Sequence, residues 1–115
     1  MNYDLEERTA KFGEDVIIFL KTFERNEINR PLVSQAVRST TSTGANYMEA
    51  NQASSRKDFK NKIRICQKEA NESKHWLRML ATANPGKKEE CRKLWQEAHE
   101  LTLIFAQISK SCKEN

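Results

Sequence analysis

The stretch RKDFKNKIRICQKEANESKHWLRML, residues 56–80, carries two apolar stripes and a ridge of lysine and arginine along a single helical period. Phe59, Ile63, Cys66, Ala70, Ser73, Leu77 and Leu80 recur at three- and four-residue intervals, so they share one helical face. At about 100° per residue, Ile65, Trp76, Met79 and Ala83 form a second line roughly 115° around the cylinder. One stripe is what a helix buries inside its own small bundle. The second predicts burial against another subunit. Lys57, Lys60, Arg64 and Lys68 fall within an arc of about 80° that points away from the main stripe, toward solvent or a polyanion.

The rest of the chain fits the same pattern. Its 115 residues allow one domain, residues 1–115, with a modest core. Three glycines and two prolines are too few for a turn-rich β fold, and no strand-like alternation occurs. The expected class is all-α. The opening MNYDLEER is acidic and lacks the basic-then-apolar order of a signal peptide. The longest apolar run, Val16 to Leu20, falls far short of the roughly 20 residues that cross a bilayer. A cytoplasmic protein without membrane association is the expectation. Cys66, Cys91 and Cys112 are odd in number and each falls on an apolar stripe, so core thiols are expected rather than a disulfide or metal framework.

Four helices are predicted. The first runs over about 4–24, with Leu5, Phe12, Val16, Phe19 and Phe23 as its stripe and Asp4, Glu6 and Glu7 at the end where the helix dipole favours acid. Ile17 and Ile18 lie off that stripe. They join Ile65, Trp76 and Met79 as the expected subunit interface. RNEINR (25–30) reads as a polar connection before Pro31, which suits a first helical turn. The second helix, about 31–52, contains the poor helix former STTSTG (39–44). Its periodicity places Val33, Val37, Thr40, Gly44 and Tyr47 on one face, flanked by Ala36, Thr43 and Met48. Small residues there predict a close approach to a neighbouring helix. Ser54 or Ser55 caps the third helix, and Asn84-Pro85-Gly86 ends it. The fourth, about 87–112, has Cys91, Leu94, Ala98, Leu101, Phe105, Ile108 and Cys112 as its stripe. Short connections predict an antiparallel up-down-up-down four-helix bundle.

The net charge of +4 is unevenly spread. The first helix carries three basic and six acidic residues, the third eight basic and three acidic. A basic helix suits nucleic acid, an acidic partner protein or an anionic surface, and the same pattern also serves as a solubilising face. Cations at i, i+3, i+7 and i+11 can track a phosphate backbone but carry no sequence code. No aromatic alternates with them on that face, so base stacking is not expected. Glu72-x-x-His75 has the spacing of a di-iron bundle ligand pair, but His99 has Gln96 three residues earlier, so no second pair completes a site. No nucleophile is spaced beside a base, and no glycine-rich phosphate loop occurs. No catalytic residue, metal or cofactor is expected.

Gln35-Ala36-Val37-Arg38 followed by Ser42-x-x-x-Asn46-x-x-Glu49 resembles the small proteins encoded by intervening sequences in bacterial 23S ribosomal RNA genes. Asp58-Phe59, Ile63-x-Ile65-Cys66-x-Lys68-Glu69-Ala70-x-Glu72 and Trp76-Leu77-x-x-Leu80 are similar to that family's third helix. The likeness covers nearly the whole chain, departing at Ala50-Asn51, where a glycine-containing segment often follows. It implies an antiparallel four-helix bundle in a ring-shaped homopentamer. In the related accessory variability proteins of diversity-generating retroelements, it implies a basic surface that engages nucleic acid and reverse transcriptase. The expectation is thus a non-enzymatic homo-oligomer with nucleic-acid binding, or alternatively an adaptor docking an acidic partner. Arg38, Ser42, Asn46 and Glu49 share one face, read either as locally bonded polar surface or as a contact line that pairs Arg38 with Glu49 of a neighbour.

Overall fold

The apolar stripes assemble four helices in a computed structural model that describes residues 3–112, with side chains from Leu5 onward. These are α1 (Tyr3–Leu20), α2 (Asn29–Ala50), α3 (Arg56–Ala83) and α4 (Lys88–Ser111), with a 3-10 turn at Pro85–Lys87. The side chain of Asp4, expected to complement the α1 dipole, lies outside the described residues.

Contacts between consecutive helices run in opposite register. Gly44 faces Thr9 and Gly13 faces Thr41 between α1 and α2. Glu49 meets Lys62, and Arg38 meets Glu69 and Glu72, between α2 and α3. Lys74 meets His99 between α3 and α4. The result is an antiparallel four-helix bundle of 50 × 20 × 20 Å. Helix α3 packs extensively on both α2 and α4, and of the four adjacent helix pairs α1 and α4 pack least closely. Arg8 spans that seam: Nε donates to Glu97 Oε2 and Nη2 to Glu100 Oε1, each at 2.8 Å.

Phe12, Val16, Ile63, Leu77, Leu80, Leu101 and Phe105 are each at most 1% exposed. Burying a side chain of that size contributes on the order of 1.5–3 kcal/mol. Ile63, Cys66, Ala70, Ser73, Leu77 and Leu80 form the buried face of α3 as its spacing predicts. On α4, Ile108 and Cys112 are only half-buried and Ser109 is buried instead. Ser55 caps α3, its Oγ accepting from the Asp58 N–H at 3.0 Å.

Helix α2 departs most from its expected face. Ala36, Ser39, Thr40, Thr43, Tyr47 and Ala50 are buried, Val33 and Val37 are only half-buried, and Met48 is 58% exposed. The face is rotated toward α3 because its hydroxyls are satisfied internally. Thr40 donates to the Ala36 carbonyl at 2.7 Å and Thr43 to the Ser39 carbonyl at 2.9 Å, so threonine enters the core without an unpaired polar group. The Ser39 and Ser73 hydroxyls share a hydrogen bond at 2.9 Å, both fully buried. The predicted close approach is present on the other flank, where a Cβ on Gly44 would lie 3.4 Å from Thr9 Oγ1. Boundaries also move: α1 ends at Leu20 rather than near 24, because Thr22 and Phe23 turn their N–H groups to the i−3 carbonyls.

Candidate nucleic-acid interface

Helix α3 sorts its charges by face. Lys57, Arg64, Lys68, Asn71 and His75 follow one another along its outward side, all exposed. Lys60 is half-buried on the flank toward α4, and exposed Arg78 extends the line on that same flank. The three acids are elsewhere. Asp58 occupies the first turn, where the helix dipole favours it. Glu69 and Glu72 lie toward α2, under Arg38: Nη1 donates to Glu69 Oε1 at 3.0 Å and Nη2 to Glu72. Trp76 Nε1 also donates to Glu72, at 2.8 Å. These bonds, that from Trp76 foremost, hold the Glu72 carboxyl below its ordinary range. Lys57, Arg64 and Lys68 therefore stand exposed on a face that Glu69 and Glu72 leave for Arg38. Lys57, Arg64 and Lys68 have no ion pair with any described residue.

The polar line of α2 falls in the α2–α3 seam. Asn46 Nδ2 donates to the Ser42 carbonyl at 2.8 Å, and Lys62 Nζ donates to Glu49 Oε1 at 2.9 Å. Within the chain, Arg38 and Glu49 each bond to α3. The expected subunit-interface residues divide between two places. Ile17 and Ile18 are 40% and 66% exposed on α1. Ile65, 37% exposed, lies with half-buried Trp76 and Met79 on the α2 side of α3.

The buried thiols are poor nucleophiles. Burial pushes the Cys66 thiol up to about 12 and Cys91 up to about 11, away from the thiolate that a nucleophile needs. Glu72 is held by Arg38 and Trp76, while exposed His75 packs edge-on against the Trp76 ring at 4.9 Å. Among the described residues no three His, Cys, Asp or Glu side chains are grouped to hold a metal. No helix among them is long and apolar enough to cross a membrane.

Projection of single helices missed what α4 adds. Trp95, Arg92 and Lys88 lie across the seam from Arg78, and only the register of α3 against α4 brings the four together.

The profile of the family described as 23S rRNA-intervening sequence protein matches residues 1–107. The chain belongs to that family. Among solved structures, this 23S rRNA-intervening sequence protein is similar to the crystal structure of a protein of unknown function from the S23 ribosomal protein family of Bacteroides thetaiotaomicron. The two share 31% identity over 92% of this chain and 95% of that chain, with a TM-score of 0.83. No curated protein matches the chain.

Proposed function

We propose that this member of the 23S rRNA-intervening sequence family is a non-enzymatic cytoplasmic homo-oligomer that binds nucleic acid without sequence preference through the outward ridge of α3. The observation that carries the reading is the withdrawal of Glu69 and Glu72 toward Arg38, which leaves Lys57, Arg64 and Lys68 exposed together. Cations without ion pairs on a straight helix meet a phosphate backbone at low cost in lost contacts, and they read charge rather than base edges. The raised Cys66 and Cys91 thiols and the committed Glu72 support a role without covalent or metal chemistry.

The oligomer rests on Ile17 and Ile18 of α1 and Ile65 of α3, apolar groups exposed on two different faces. A contact that joins two unlike faces is head-to-tail, and such contacts form a ring where the rotation between subunits closes and a filament where it does not. The family resemblance implies a ring of five. Fluorescence anisotropy with labelled RNA, comparing the protein with its Lys57→Glu/Arg64→Glu variant, tests the binding. Loss of affinity in the variant with unchanged helicity supports the reading. Indifference to the change, or absence of binding at low salt, would favour an adaptor that docks an acidic protein.

A further inference from the structure

The α3–α4 seam near the Pro85–Lys87 turn holds an open groove of about 420 Å³, within the range of small-ligand sites. Leu77 and Ala81 of α3 and Trp95 of α4 provide its apolar surface, and Arg78, Lys88 and Arg92 bring three cations to it. None of its lining residues is acidic, and the three cations have no ion pair with any described residue. Trp95 is itself held in place. His99, one turn further along α4, stacks on it with centroids 5.1 Å apart and planes at 17°. Lys74 Nζ lies 5.2 Å from the Trp95 centroid and 3.1 Å from His99 Nδ1. Lys88 and Arg92 lie on the opposite side of Trp95 along α4, so the groove opens away from the His99 stack.

A fixed aromatic ring among cations, with no carboxylate lining the groove, matches a ligand that presents a flat π face and a negative charge. We propose that this groove takes one unpaired nucleotide of a single strand, its base against Trp95 and its phosphate between Arg78 and Arg92. This inference rests on the nucleic-acid reading above and adds single-strand preference to it. Arg78 is the connecting residue. It stands 21 residues beyond Lys57, or about 32 Å along the helix, so a strand that follows the α3 ridge reaches the groove.

Trp95 becomes the only indole in a Trp76→Phe protein, and its emission reports on the groove directly. Titration with single-stranded RNA at low salt should quench it, whereas a duplex should bind without quenching. In unlabelled competition, Trp95→Ala should weaken single-strand binding by roughly tenfold and leave duplex binding unchanged, with Trp95→Phe in between. An unaltered far-UV spectrum in Trp95→Ala excludes unfolding as the cause. Duplex binding with no quenching by single strands overturns the groove assignment and leaves the ridge standing. Failure of both nucleic acids to bind overturns both proposals. Quenching by free nucleoside monophosphate as strong as by the strand overturns the single-strand assignment in favour of a free nucleotide.

Discussion

The side-chain amides of Asn29 and Asn84 bond each other reciprocally. Asn29 Nδ2 donates to Asn84 Oδ1 at 3.1 Å, and Asn84 Nδ2 donates to Asn29 Oδ1 at 2.8 Å. Asn29 is 2% exposed, and its Nδ2 also reaches the Glu24 carbonyl at 2.9 Å. Asn84 Nδ2 similarly reaches the Leu80 carbonyl at 3.0 Å. The pair clasps the α1–α2 connection to the end of α3, so two loops far apart in sequence close one end of the bundle.

Asn29→Ala removes both bonds to the half-buried Asn84 amide and the bond to the Glu24 carbonyl, and should cost about 1–3 kcal/mol. Asn29→Ala/Asn84→Ala should cost less than the sum of the single changes, by a coupling of about 0.5–3 kcal/mol. Urea unfolding with unchanged m-values reads both quantities. Strict additivity would show that the clasp is not a unit.

Residues differ in how far sequence alone exposes their role. Ile63, Leu77 and Leu101 announce the core because large apolar groups at helical spacing have few other uses. Ser39 does not, since its burial depends on the Ser73 hydroxyl of α3 meeting it in the core. The first turn of α2 begins at Asn29, ahead of Pro31, because Asn26 Oδ1 accepts the N–H groups of Ile28 and Asn29 at 3.1 and 2.7 Å. The α3 ridge was legible as an arc on one helix, whereas its freedom from acid depends on Arg38 of α2. The groove at Trp95 was not legible, because it exists only through the register of two helices.

Glu72 should leave a mark on the pH dependence of stability. Its folded pKa lies below the ordinary 4.5, so its contribution is complete above that value and is lost as pH falls through the lower folded pKa. Trp76→Phe removes the largest cause of the depression. The Glu72 titration followed by NMR should then move up toward 4.5, and the acid limb of the stability curve should flatten. An unchanged titration would place the cause elsewhere.

Assembly should respond to exposed apolar groups rather than to Trp76. A carboxylate at position 76 would sit beside Glu72 and disturb the subunit itself, which disqualifies it as a probe. Ile18 is 66% exposed, so Ile18→Glu should shift the subunit's own stability by only about 0.5 kcal/mol, whereas Ile65→Lys, at a site 37% exposed, should cost about 1 kcal/mol. Light scattering should give a multiple of 13.4 kDa for the unmodified protein and a smaller mass for the double variant. A mass of one chain for the unmodified protein would contradict a homo-oligomer.

The salt dependence of duplex RNA binding tests the central claim most directly. If Lys57 and Arg64 each contact a phosphate, log K should fall linearly with log salt, and Lys57→Ala/Arg64→Ala should make the slope shallower by about 1.8. Helicity and oligomer mass should stay as they were, because both side chains face away from the core. A slope identical in the two proteins, or no binding near about 50 mM salt, would contradict a phosphate-contacting ridge on α3.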